Sequence, residues 1–404
     1  MNLLSDGIEM KAVIANNTDK KLVIDNISQN YPVYKIRLDH LYYNDQNDRI
    51  ATWISQYKFD NKISNLNTSN KEDYNTTIHK FITDSNPQAL KNTQTNINLV
   101  GQQETGVVLS DGRIIDGNRR FTCLRNIEKE TGKTQYFEAV ILDHSIENNA
   151  KQIKMLELML QHGVDEKIGY NPIDKLVGIY NDIIETKLLS VEEYATSVNQ
   201  SPADIKSEIE KAKLLVDFLE FINAPKHFYL ARTMNITESL KDLHTMLKRV
   251  KDIDKKEDLK NIVFAELLMQ PVGDMNRYIR RIGKIVDNNK FFDNFIEEQT
   301  AIVEKVCDEL EKHTKVTDQE ISKIRSNEQI KKDFKHSSEI FFNRVDSDTT
   351  RNQPIKQMEK ACDSLELIDT NIFKKLSIDQ KDDIQEKLDK IEEIILNMRR
   401  ELDV

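Results

Sequence analysis

Apolar and polar positions alternate through Val33, Lys35, Ile36 and Leu38 of "YPVYKIRLDHLYYNDQND", and the run then breaks into Asn and Asp. That pattern predicts a strand entering a turn. Before it, "KLVID" in residues 1–30 is a short apolar stretch without strong periodicity, either a strand or an arm. A helix is predicted from Ile50 to Gln56. Residues 60–98 are rich in Asn, Thr and Ser, with one amphipathic piece, "EDYNTTIHKFI", in which Tyr74, Ile78, Phe81 and Ile82 have helical spacing. They read as a small inserted helix flanked by loops. "TGVVL", "SDG", "RIID" and "NRRFTCLRNIEKETG" follow as strand, tight turn, strand and helix, and "YFEAVILD" at 136–143 adds another strand.

After that strand the period changes. Successive helices are predicted at 147–161, 171–187, 190–198, 202–222, 236–250, 257–268, 273–286, 290–312, 317–334, 353–366 and 376–402. In the last, Ile384, Leu388, Ile391, Ile395, Met398 and Leu402 are spaced 4, 3, 4, 3, 4, a heptad seam that must bury against another helix of this chain or of a second copy. The pattern therefore predicts an α+β protein: a small mixed α/β domain at 1–145, a helical domain at 146–235, and a helical domain at 236–404 that ends in the heptad helix.

Composition narrows the classes. No stretch resembles a transmembrane run or a secretory signal, so a cytoplasmic protein without membrane contact is expected. Cys123, Cys307 and Cys362 are too few and too scattered for a disulfide framework or a zinc cluster. The net charge of -10 argues against coating nucleic acid by bulk electrostatics, and leaves room for a local basic surface.

The chemistry concentrates in "GQQETGVVLSDGRIIDGNRRFTCLR", residues 101–125. The chain has 11 Gly in 404 residues, yet Gly101, Gly106, Gly112 and Gly117 fall together here. A strand ending in Asp-Gly that runs straight into a helix leaves the helix's first N–H groups pointing at the turn, a ready anion site. Arg119 and Arg120 stand on the first helical turn, where the helix dipole disfavours cations unless an anion is bound. Asp116 beside them has three open roles: capping the helix, holding Arg120, or positioning a metal as a catalytic carboxylate.

The order of these pieces resembles the ParB/sulfiredoxin-like superfamily, within it the ParB branch, over about residues 33–215. "IRLDHLYYNDQNDR" at 36–49 is similar to the first ParB box, "GQQETGVVL" to the second, and "IIDGNRRFTCLR" to the Gly-Glu-Arg-Arg phosphate motif with its helix. "YNPIDKLVGIYNDIIETKLLSVEEYATSVNQSPADIKSEIEKAKLL" at 170–215 looks like the segment that leads into the ParB helix-turn-helix. The resemblance implies a nucleoside triphosphate, CTP or ATP, with Mg, bound by Gly117, Asn118, Arg119 and Arg120 with Gln103, Arg49 and Gln161. By the same resemblance, Asn118 stands where ParB usually has Glu and sulfiredoxins their reactive Cys, which argues against sulfiredoxin chemistry. The Glu-Asn pair that holds metal in ParB is replaced by Leu158 and Met159, with Glu157 or Asp165 as substitutes, and His162 follows Gln161.

Within 190–213, Ser190 and Glu193 form a capping box, Ala195 takes the small-residue position, Asn199 the turn position needing positive φ, and Ile205 and Ile209 the buried positions. Lys206, Ser207 and Lys211 are the candidate DNA contacts. Five acidic residues against three Lys in this span give a net of -2, which a phosphate-lined groove repels. Three functions are expected from these features: a nucleotide-binding protein acting on or with DNA in partition, mobile-element maintenance or phage defence; an enzyme of the same fold using Asp116 for phosphotransfer or nuclease chemistry; or a nucleotide-gated protein-interaction module. A homodimer through the last helix is compatible with each.

Overall fold

A computed structural model describes residues 2–24, 27–143, 146–163, 171–313 and 316–402; of 146–148, 162, 163 and 356 it describes the backbone. The chain divides into two compact units, Met1–Glu339 and Ile340–Val404. The expected boundaries at 145 and 235 fall inside the first.

The first unit opens with the short α1 (Asp6–Glu9), then a hairpin of two long strands, β1 (Val13–Ile24) and β2 (Ile27–Arg37). The segment left open as strand or arm is thus an edge strand, with a bulge between Ala15 and Asp19. Next come α2 (Ala51–Asp60), α3 (Lys71–Ser85) and α4 (Pro87–Val100). The expected single inserted helix is two. Asn70 caps α3, and Asn86 caps α4 with Pro87 at the first helical position, so the Asn-rich composition marks helix starts where it had suggested loops.

The strand-turn-strand-helix array is present as β3 (Gly106–Leu109), β4 (Ile114–Asp116) and α5 (Asn118–Thr131), followed by β5 (Tyr136–Leu142). The sheet order is β1-β2-β5-β3-β4, with β3 parallel to β5 and the other neighbours antiparallel. Adjacent strand residues face opposite sides, as the period of two requires. Val108, Ala139 and Ile141 pack with Ile78, Leu90, Phe121 and Leu124 of α3, α4 and α5. Val107, Val140 and Leu142 pack on the other face with Ile153, Leu156 and Leu160 of α6 (Ile146–Gly163).

From there the unit is helical: α7 (Pro172–Ile179), α8 (Val191–Ser197), α9 (Pro202–Phe221), α10 (Phe228–Met234), α11 (Thr237–Leu247), α12 (Ile253–Met269), α13 (Met275–Val286), α14 (Phe292–Glu311) and α15 (Asp318–Arg325). The expected helix at 171–187 stops at Ile179 and continues as a π turn, Tyr180–Glu185. The α10 helix was not expected. The two helices expected at 317–334 and 353–366 are instead α15 and one long helix, α16 (Glu328–Glu366), which runs through Pro354. Ile330, Phe334, Phe341, Phe342 and Val345, all buried, carry the apolar stripe through a stretch whose Ser, Asp and Thr suggest a loop.

The second unit ends in α17 (Ile378–Glu401), opened by a Ser377–Gln380 capping box. No residue of α17 is buried, and Leu388, Ile395 and Met398 of its seam are 48%, 39% and 46% exposed. Ile384 and Ile391 of the same seam are half-buried. Among the described residues no helix is long and apolar enough to cross a membrane.

Candidate functional site

Where β4 meets α5, Gly117 is the helix N-cap with φ 108°, and no side chain caps the helix. A Cβ at this position would be strained by the backbone angle and would lie 2.6 Å from the Phe137 ring. Glycine therefore holds the chain close to the sheet at the start of α5. The next residue, Asn118, is 6% exposed, and neither its Nδ2 nor its Oδ1 has a hydrogen-bond partner. Buried carboxamides are nearly always satisfied, and each group left unpaired costs about 1–3 kcal/mol. Arg119 is half-buried. Arg120 donates from Nη2 to Asp116 Oδ2 at 2.7 Å, while its Nε is buried without a hydrogen-bond partner. Of the three roles open to Asp116, the structure shows it holding Arg120. Three unsatisfied buried polar atoms thus lie on the first turn of one helix.

The loop after β2 is pinned against this helix. Tyr43 Oη and Thr122 Oγ1 are 2.8 Å apart, Thr122 donates to the Asn118 carbonyl at 2.9 Å, and the Tyr43 ring packs edge-on against Phe121 with centroids 4.8 Å apart. Asn75 on α3 accepts from the Tyr43 N–H and donates to the Leu41 carbonyl. The other side of the same loop reaches α6. Asn44 Nδ2 donates to Glu157 Oε2 at 3.2 Å, and Gln161 Nε2 donates to Glu157 Oε1 at 2.8 Å. Lys154, 2% exposed, donates to Asp48 Oδ1 at 2.8 Å and to the Gln46 carbonyl at 3.1 Å. Asp182 Oδ2 on the π turn is 3.4 Å from the same ammonium, and Glu157 Oε2 is 3.9 Å from it.

Burial pushes the Glu157 and Asp182 carboxyls up from their ordinary values despite the ammonium beside them. Burial alone would lower Lys154, but Asp48, Glu157 and Asp182 outweigh it and hold the ammonium well above its ordinary value. The cluster is therefore a charged lysine beside two carboxyls, Glu157 and Asp182, that take up protons more readily than in water.

The structure brings some expected residues together and places others apart. Gln161, expected at the nucleotide, has its amide nitrogen engaged by Glu157. Arg49 is half-buried in the turn that carries Asp48, its N–H held by Asn47 Oδ1. Gln103 is exposed and closes the end of α4 on the Val100 carbonyl, while its neighbour Gln102 pairs with the Glu138 backbone of β5. Asp165 lies outside the described residues, as does the side chain of His162. Among the described residues no group of three or more His, Cys, Asp or Glu is arranged to hold a metal. Sequence reasoning did not find Lys154, Asp48, Asp182 or Asn44. The nearest signal was Lys154, Glu157 and Gln161 at helical spacing on one face of α6.

The local features expected at 190–213 are present on two successive helices, α8 and α9. Ser190 and Glu193 cap α8 reciprocally, Asn199 has φ 52°, and Ala195, Ile205 and Ile209 are buried. Lys206 is exposed. Ser207 instead faces α11, 3.4 Å from His244 Nε2, and Lys211 is paired with Glu208 at 2.8 Å. No protein-family model matches the sequence, and no curated protein is similar enough to count as a relative.

Replacing Lys154 with Met leaves three buried carboxyls without their ammonium. The expected loss is about 3–5 kcal/mol of stability near pH 8, and less near pH 5, where Glu157 and Asp182 are protonated more easily. Urea unfolding followed by circular dichroism at the two pH values measures it. Equal small losses at both would mean that the cluster does not hold the loop.

Proposed function

We propose that this chain is a cytoplasmic nucleotide-binding protein of ParB-like build that acts on or with DNA, in partition, mobile-element maintenance or phage defence. A nucleoside triphosphate, CTP or ATP, seats its phosphates on the first turn of α5. Asn118 carries the reading. Its buried carboxamide has no partner in the protein, and a phosphate oxygen on Nδ2 would satisfy the donor that the fold leaves open. Gly117 lets the phosphate approach the backbone, Arg119 supplies charge, and Arg120, aimed by Asp116, has a further N–H to donate. Gln103 and Gln161 contribute less than the resemblance implies, because both amides are engaged within the protein.

A metal bound by the protein fits poorly. Asp116 is engaged by Arg120, and Glu157 by Asn44 and Gln161. Mg would arrive with the phosphates, and phosphotransfer or nuclease chemistry through Asp116 is the weaker reading. A nucleotide-gated protein-interaction module has a specific observation in its favour: of the three candidate DNA contacts, Ser207 and Lys211 are turned to protein partners. Dimerisation through α17 accords with the exposure of Leu388, Ile395 and Met398 along its seam. In a parallel pair of copies Lys387 of one helix would meet Glu392 of the other.

Calorimetric titration with CTP, ATP and GTP tests the site. Arg120→Ala is expected to weaken binding about 10- to 100-fold through loss of a charge-assisted contact. Asn118→Ala is expected to weaken it too while leaving the free protein as stable or more so, since it removes an unsatisfied buried amide. Wild-type protein that binds no common nucleotide at millimolar concentration would overturn the reading. For the seam, Ile391→Asp is expected to halve the mass measured by light scattering. An unchanged mass with a lower melting temperature would instead place the seam's partner within the chain.

A further inference from the structure

We propose that the cleft above Lys154 is a second binding site, built for a small zwitterion that carries an ammonium and a carboxylate on one molecule. The cleft measures 880 Å³ and lies between α2, the π turn after α7, and the Pro225–Phe228 segment; no residue of α5 lines it. Its floor is Lys154 with Asp48 and Asp182, and Glu157 stands behind them. Three carboxyls share one ammonium. With all of them ionised the floor carries two negative charges in excess, which a low-dielectric site tolerates only with compensation.

Asp182 is the member with capacity to spare. It is 7% exposed, lines the cleft, and its Oδ2 receives no well-directed hydrogen bond although Lys154 is 3.4 Å away. The backbone is shaped to present these groups. Asp182 sits on a π turn, a local distortion found mostly at functional positions. Asp48 is wedged against Gly178, where a Cβ would come within 2.6 Å of its carboxylate oxygen. An organic ammonium fits this floor better than a metal ion, because the carboxylate oxygens already face an ammonium and no three acidic or imidazole groups are open to a metal among the described residues.

The wall supplies the opposite charge. Lys58 on α2 is half-buried at the cleft, and among the described residues it has no carboxylate partner. Lys226, also at the cleft, is by contrast neutralised by Glu185. Phe59 and His227, which also line the cleft, pack with ring centroids 4.1 Å apart and offer an apolar side for a short carbon chain. One acceptor of cations, one free cation and an apolar span match an ω-amino acid.

Titration calorimetry of the full chain with 4-aminobutyrate and 6-aminohexanoate, against putrescine and butyrate, tests the assignment. At least one of the amino acids is expected to bind about tenfold or more tightly than the diamine and the monocarboxylate. Lys58→Met should lower amino-acid affinity about tenfold without weakening putrescine, and Asp182→Asn should abolish amino-acid binding. Arg120→Ala should change nothing, which separates this site from the first turn of α5. Lys58→Met, checked by its circular-dichroism melt, carries the test if Asp182→Asn unfolds the cluster. Absence of binding by all four probes at millimolar concentration, equal binding of putrescine, or indifference to Lys58→Met would each overturn the proposal.

Discussion

The Lys154 ammonium joins pieces of chain that local structure alone would leave independent. It is fully enclosed, and its contacts come from the turn carrying Asp48, from α6 itself, and from the π turn carrying Asp182. A buried ion pair contributes little net stability compared with apolar packing, but breaking one is expensive, so such a cluster fixes geometry more than it adds energy. Here it fixes the loop at 41–48. Through Asn44 and Glu157 that loop is tied to α6, and through Tyr43 and Thr122 to the first turns of α5. The sheet sets where α5 starts, and the loop's two attachments keep α5 and α6 in register beside it.

Against that rigid frame, the first turn of α5 is one place where three buried polar atoms lack hydrogen-bond partners. Gly117 is demanded by the fold, through its positive φ and its contact with Phe137, so its presence alone says nothing of a ligand. The Asn118 carboxamide is different. Nothing in the packing requires a buried amide there, and an apolar residue of similar size would avoid the penalty of about 1–3 kcal/mol. Such a group calls for an explanation in strain, in an ordered water or ion, or in a ligand, of which the last is proposed. The Asp116–Arg120 pair belongs to the same design, since a guanidinium held at one nitrogen is aimed rather than free to sample rotamers.

Much of this fold was legible in the sequence, for local reasons. The hairpin and helix at 106–131 follow from β-branched runs, an Asp-Gly turn and helical spacing of Phe121, Leu124 and Ile127, all of which act over a few residues. The pairing of α3 with α4 was hidden by composition, because Asn reads as loop unless its role as a cap is recognised. The length of β1 was hidden because an exposed edge strand needs no apolar alternation, and "ANNTDKK" shows none. The candidate anion site was legible as a motif, but the orphaned state of Asn118 was not, since burial and lack of partners are properties of the packed chain. The Lys154 cluster was the least legible part. Its members are separated by up to 134 positions from Asp48 to Asp182, and a lysine at a helical position reads as a solvated surface residue until its surroundings are seen.

If a phosphate-bearing ligand completes Asn118 at the start of α5, as proposed, its binding must be visible at that side chain. Asparagine-selective ¹⁵N labelling makes its side-chain amide directly observable while CTP or ATP is added. The expected result is a large shift of the Asn118 side-chain resonances together with the backbone N–H of the same residue, saturating with the calorimetric affinity. Nucleotide binding that leaves the Asn118 amide unmoved would contradict the claim and place the ligand elsewhere on the chain.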